Sequence, residues 1–311
     1  MIRMTALRCV TALLIGVTLP SLAEACSIAV DTVGPTTWSG GDGRGYDVFD
    51  GTVYFQPLSL NVKSLEGSCS FYVTVSASVT GGGALGLLSG GAGQLVFEVY
   101  RDTTGTQALR PAPLATQSEV LTGSIGKDGQ QGFQVAYSIP ALQIVPPGTY
   151  SGQITIAAYE GVFGSGVLRA QKQVPISVAI PSIAEVSFTE GTFNAKNKYV
   201  SVDFGTLYQG EIKGITLHAR GNGGYRITAD SQNGGSMRQR DPLEPSAVPY
   251  ILSLDGRPAD LSRPDVEAVS FQGITSAQGN AHRFDFTIGS LAGTAAGDYE
   301  DTVTVTITSL R

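Results

Sequence analysis

At 311 residues, 15% charged and with a formal net charge of −6, the chain is long enough for two ordinary domains. Its acidity argues against a nucleic-acid partner or an anionic membrane surface. Forty glycines, with Val, Thr, Ile and Tyr in short runs, make an all-β composition, and no amphipathic helical stretch of useful length lies beyond the N-terminal segment.

Residues 1–25 read as a secretory signal. Arg3 and Arg8 supply the positive start, residues 9–19 an apolar run too short to span a bilayer, and Ala23-Glu24-Ala25 a small-residue cleavage site. The mature chain is expected to begin at Cys26 and to be one unit more negative. A lipid-modified Cys26 is the rival reading, but Glu24 puts a charge where a lipobox needs small and branched residues. Export leaves Cys26 and Cys69, which read as one disulfide formed in an oxidising compartment. On the chain-entropy model such a link contributes about 4 kcal/mol.

Residues 26–30 read as a first strand and 31–50 as a Gly-rich loop holding Trp38, the single tryptophan. Residues 53–62 are strand-like, with Pro57 marking a bulge or an edge. Residues 69–79 alternate, Phe71, Val73, Val75, Ala77 and Val79 facing one way. Residues 81–93 read as a Gly-rich loop enclosing Leu85, Leu87 and Leu88. A strand at 94–100, a polar, turn-rich stretch at 101–129, and strands at 132–139, 150–159 and 173–180 complete a domain of residues 26–180. Pro181 marks the boundary. Residues 181–311 repeat the pattern, with strands at 199–204, 212–219, 225–229, 250–254, 283–288 and 301–308. Short strands at this spacing, with turn residues between them, predict two tandem immunoglobulin-like β-sandwiches.

One signature occurs twice. Pro147-Gly148-Thr149-Tyr150 leads into a strand at 153–159, and Ala296-Gly297-Asp298-Tyr299 into one at 302–308. After the first copy the chain turns at 160–166 and adds another strand near 173–180; after the second it has none to add. The first sandwich is therefore expected to be complete and the second to lack its final strand. That leaves a hydrophobic groove along Val303, Val305 and Ile307, to be filled from outside.

The second half also carries a family resemblance. Val202-Asp203-Phe204-Gly205-Thr206-Leu207, Val248-Pro249-Tyr250-Ile251-Leu252, and above all the closing run Gly297-Asp298-Tyr299-Glu300-Asp301-Thr302-Val303-Thr304-Val305-Thr306 resemble the spore coat U-type pilin domain of archaic chaperone–usher pili. The first half is similar but looser. Its Cys26 and Cys69 sit where such domains carry a disulfide, whereas the second half departs from the pattern in having no cysteine pair. The resemblance implies a periplasmic chaperone that lends the missing strand, an outer-membrane usher, and an adjacent pilin subunit whose N-terminal strand replaces the chaperone's. With nothing left before Cys26 to donate, the subunit is expected at the pilus tip, on the cell surface, in the role of an adhesin.

Candidate binding residues are apolar side chains among glycines. Val162, Phe163, Val167 and Leu168 lie in or beside the turn after the strand at 150–159, and Leu85, Leu87 and Leu88 in the earlier Gly-rich loop. Exposed apolar area of this kind marks interaction surfaces, against an abiotic or a host surface here. The bland alternatives are that Phe163 folds back onto the sandwich and that the leucines plug its end. Trp38 is a further candidate, or else a core aromatic. Catalysis finds no support: there is no Gly-x-Ser-x-Gly elbow, and His218 and His282 pair with no nucleophile. Neither histidine has zinc-ligand spacing, and Asp42, Asp47 and Asp50 lack that of an EF-hand, so neither a metal nor a cofactor is expected. A tip adhesin leads, ahead of a non-adhesive adaptor or secreted coat-like protein and of a carbohydrate-binding or hydrolytic β-sandwich enzyme.

Overall fold

The computed structural model describes residues 26–77, 85–91, 93–112, 114–188, 192–240 and 246–310. The expected signal and Val79 lie outside them. The described residues are all β, apart from one 3-10 turn at Gln117–Glu119.

The first ten strands are β1 (Ser27–Val33), β2 (Thr37–Trp38), β3 (Phe55–Glu66), β4 (Cys69–Ala77), β5 (Gly86–Gly90), β6 (Gly93–Tyr100), β7 (Leu121–Ile125), β8 (Gln130–Ser138), β9 (Gly148–Glu160) and β10 (Val167–Ile180). One layer runs β1-β3-β8-β6 and the other β7-β4-β9-β10-β2; β5 joins them by pairing with both β6 and β9. Every pairing is antiparallel except β10 with β2. The alternation seen in residues 69–77 is overridden, because β4 buries every side chain but Ser70, Tyr72 being covered by Tyr159 and Phe163. Tertiary burial outranks the two-residue period there.

Several elements differ from the sequence expectation. Residues 86–90 form a strand rather than a loop, and residues 121–125 another within the stretch expected to be turns. The glycine at 86 is the cause of the first misreading. A Cβ there would meet Ala77 Cβ and the Phe97 ring at 2.3 Å, so Gly86 permits close packing inside a sheet rather than a turn.

The remaining strands are β11 (Ala184–Ser187), β12 (Ile212–Gly221), β13 (Tyr225–Ser231), β14 (Ser236–Gln239), β15 (Ala247–Leu254), β16 (Arg257–Ala259), β17 (Val266–Phe271), β18 (Asn280–Ile288), β19 (Tyr299–Glu300) and β20 (Val303–Ser309). One layer runs β11-β12-β18-β15-β14-β19, with β16 beside β15; the other is β17-β13-β20. Residues 199–204, expected as a strand, have no ladder partner among the described residues.

The two cores differ in closure. Among the described residues the first holds 33 buried members, with five half-buried apolar residues against it. The second holds ten, with thirteen half-buried apolar residues around them, Val303, Val305 and Ile307 included. A core whose margin outnumbers its interior is one whose lining remains partly wet. The first core also carries the Cys26–Cys69 disulfide, which ties the start of β1 to the start of β4 with Cα atoms 5.6 Å apart.

Candidate functional site

The repeated tyrosine signature builds the same corner twice. Tyr150 donates its hydroxyl to Pro146 O at 3.0 Å, and Tyr299 to Ala295 O at 2.7 Å, each four residues upstream. Gly148 and Gly297 take φ of +149° and +156°, backbone that L side chains seldom adopt. The strands beyond the two corners are paired differently. β9 is paired on both sides, with β10 along its whole length and with β4. Among the described residues β20 is paired with β13 only.

The free side of β20 faces a groove of about 720 Å3. Its walls are residues 298–303 with Val305 on one side and the segment 198–204 on the other, with Ile215, Met237, Phe284 and Phe286 among its apolar lining. Val303, Val305 and Ile307 alternate half-buried with exposed Thr304, Thr306 and Thr308. Across the groove Tyr199 is 89% exposed. An edge strand with free backbone groups above an apolar trough has the geometry that accepts one more strand.

One end of this groove is firmly held. Asp301 accepts hydrogen bonds from Tyr250 and Ser231 hydroxyls, both at 2.6 Å, and from the Asn233 N–H at 3.1 Å. Burial, reinforced by the bond to Asp301, pushes the Tyr250 hydroxyl well above its ordinary pKa. At the rim Arg240 donates twice to Glu300 Oε2, at 2.8 and 2.6 Å, and holds the Glu300 carboxyl below its ordinary value. The start of β20 is thus fixed while its outer edge stays open.

The apolar candidates fall in separate places. The β9–β10 hairpin pairs Gly148 with Ile180 at the junction with the second sandwich and Glu160 with Val167 at its far end. Twelve strand steps place that tip roughly 40 Å from the junction. Val162, Val167 and Leu168 stand exposed at the tip, at 69%, 55% and 47%. Phe163 does not project. It packs edge-on against Tyr72 at 5.4 Å, and Tyr72 is stacked on Tyr159 at 4.7 Å. Gly166 leaves room for this, since a Cβ there would strike the Tyr72 ring.

Leu85, Leu87 and Leu88 lie elsewhere. Ser89 pairs with Ser151, and Gly90 touches the backbone of Thr149 and Tyr150, towards the junction end. Leu85 is exposed and Leu87 half-buried, but Leu88 is 1% exposed and belongs to the first core. Trp38 is likewise a core residue, 2% exposed and tilted against Tyr137 at 5.6 Å. Its loop folds back to cover it: Tyr46 donates its N–H to Ala179 O, and Gly45 sits so tightly on Ala179 that no Cβ would fit. Leu88 and Trp38 are therefore withdrawn as surface-binding residues.

Sequence reasoning passed over a polar triad that runs from the buried Tyr225 and His282 to Asp255 at the surface. Asn280 Nδ2 donates to the Tyr225 hydroxyl at 3.1 Å, leaving Tyr225 to donate to His282 Nε2 at 2.8 Å. His282 Nδ1 then carries the proton and gives it to Asp255 Oδ2 at 2.7 Å. Tyr225 is fully buried and His282 is 7% exposed, so the triad acts as a polar tie at the core. Among the described residues no group of acidic, histidine or cysteine side chains is placed to hold a metal ion.

No protein-family model matches the chain. No curated protein matches it either. Among solved structures it is similar to the CsuC–CsuE chaperone–tip adhesion subunit pre-assembly complex from archaic chaperone–usher Csu pili of Acinetobacter baumannii. The identity there is 14% and the TM-score 0.41, covering 78% of this chain and 85% of that one. It is also similar to the CupB6 tip adhesin from Pseudomonas aeruginosa, with 12% identity and a TM-score of 0.39 over 91% of this chain and 94% of that one. A third is the CssB subunit complemented with the donor strand of the CssA subunit, from the enterotoxigenic Escherichia coli colonization factor CS6. It shows 14% identity and a TM-score of 0.28, over 50% of this chain and 97% of that one.

Proposed function

We propose that the chain is the tip subunit of an archaic chaperone–usher pilus of the spore coat U type, mediating adhesion and biofilm formation. The observation that carries this reading is the open groove along β20, beside a first sandwich in which the equivalent strand is paired on both sides. A subunit with one acceptor groove and one closed sandwich is built to be held at one end and to present the other. The boundary at Pro181 comes from the same division. A periplasmic chaperone fills the groove first. At the outer-membrane usher, the N-terminal strand of the adjacent subunit replaces it, burying Val303, Val305 and Ile307.

The exposed end of the β9–β10 hairpin is the contact surface, through Val162, Val167 and Leu168, with Phe163 supporting the turn from Tyr72. Each aliphatic group buried against an abiotic or host surface contributes about 25 cal/mol per Å2, and many fibres per cell multiply the effect. Immunogold labelling of surface fibres tests the placement: label is expected at fibre ends, and label along the shafts would overturn the tip assignment. Val305→Asp should remove the protein from the surface. Replacing Val162, Val167 and Leu168 together by Ser should lower attachment with fibre number unchanged. Full attachment by that variant would exclude the hairpin as the contact surface.

A further inference from the structure

We propose that Phe49, Arg220 and Phe193 form a latch fixing the orientation of the first sandwich relative to the groove of the second. The latch holds whatever fills that groove. The crossing chain is itself bound down. Pro181 O accepts from Asn222 Nδ2 at 2.9 Å, the Ile183 N–H donates to Asn222 Oδ1 at 2.8 Å, and the Asn222 N–H donates to Ile183 O at 3.3 Å. Asn222 is fully buried. Residues 181–183 are therefore not a solvated tether, whose freedom would leave the two sandwiches to reorient.

Arg220 supplies the lateral restraint. Its guanidinium lies between two rings, 4.4 Å from the centroid of Phe49 in the first sandwich and 4.0 Å from that of Phe193 in the second. Its edge is satisfied by the second sandwich alone. Nε and Nη2 donate to Glu185 Oε2 at 2.9 and 2.7 Å, and Nη1 donates to Ala277 O at 3.1 Å. A planar, weakly hydrated cation tolerates this much desolvation when its edge is hydrogen-bonded and its faces are covered. The second sandwich provides the edge and one face, and the first provides only the other face. Phe49 is 7% exposed, so moving the first sandwich away would wet both the ring and the cation.

The latch also reaches the groove. Phe188 and Lys198 both line it, and Phe193 lies on the segment between them, whose ends are held together by the Phe188 N–H donating to Asn197 O at 3.2 Å. The groove wall and the restraint on the first sandwich are thus one stretch of chain.

The test uses the whole exported chain with Lys127→Cys and Arg257→Cys, both at exposed positions, spin-labelled for distance measurement. The parent should give one narrow distance distribution. Phe49→Ala should lose it, and Phe49→Tyr, which keeps the ring, should retain it. Arg220→Lys keeps the charge but not the flat two-faced stack, and should lose the narrow distribution as Phe49→Ala does. Because Phe49 also touches the first core, Trp38 emission reports whether that core is intact, and the Arg220→Lys variant decides the matter if it is not. A broad distribution in the parent, or a narrow one in Arg220→Lys, would overturn the latch.

Discussion

The buried hydroxyls are the residues on which the second sandwich is most exposed to damage. Tyr225→Phe removes the donor to His282 Nε2 and leaves a buried acceptor unpaired, which costs about 1–3 kcal/mol. Tyr150→Phe loses a single bond to a backbone carbonyl and should cost about 0.5–1.5 kcal/mol. Hydrogen exchange of the β13 amides in one variant, and of the β9 amides in the other, gives the two values; equal effects would argue against the triad as a tie. The Glu300 carboxylate is the residue to watch in acid. Arg240 depresses its folded pKa below the ordinary 4.5, so its favourable contact is fully present above pH 4.5 and is lost as pH falls through the depressed value. The Arg240 Nε–H resonance should therefore shift as pH drops below 4.5, and Glu300→Gln should abolish that shift. The tyrosine corners were legible in the sequence, because a hydroxyl bonding four residues upstream is a local event. The Tyr225–His282–Asp255 triad was not, since its members come from β13, β18 and the turn after β15 and meet only once the sandwich is built.

Glycine misled at the scale of elements. Runs of glycine around Leu85–Leu88 and Trp38 have the composition of loops, yet Gly86 sits inside β5 and Gly45 presses on β10. In both places the absent Cβ serves close approach, and the neighbours that need it lie on other strands, Ala77 on β4, Phe97 on β6 and Ala179 on β10. The position of the hairpin tip was not legible from the strand count, since one irregular strand more or less reverses which end a turn occupies; the β9–β10 register settles it. The same distinction fixes the cost of shortening each leucine. Leu88→Ala empties a site in the first core and should destabilise it by about 2–5 kcal/mol, whereas Leu85→Ala, on an exposed side chain, should stay within about 0.5 kcal/mol. Urea denaturation followed by Trp38 fluorescence isolates the first sandwich, since no other tryptophan is present. Equal midpoints for the two variants would return Leu88 to the surface.

The molecule as a whole couples a closed unit to an open one, and the two halves should behave differently when separated. Residues 26–180 have every central strand paired on both sides, a disulfide between β1 and β4, and a core with few half-buried margins. Expressed with export to the periplasm, this half should give a stable monomer. Residues 181–311 keep Val303, Val305 and Ile307 half in water, along with Ile215 and Phe286, and carry a free backbone edge on β20. Apolar area left wet contributes nothing to stability, while the entropy of ordering the chain is opposed in full. This half should therefore be recovered poorly or as aggregates joined edge to edge. A synthetic peptide of alternating apolar and polar residues, long enough to run beside β20, should rescue it as a monomer. The same peptide with charged residues at its apolar positions should fail, because the groove would then desolvate charges with no partners. Size-exclusion chromatography of the four preparations decides the matter: a soluble, monomeric second half without peptide would mean that the groove is a surface feature and that the second sandwich is already whole.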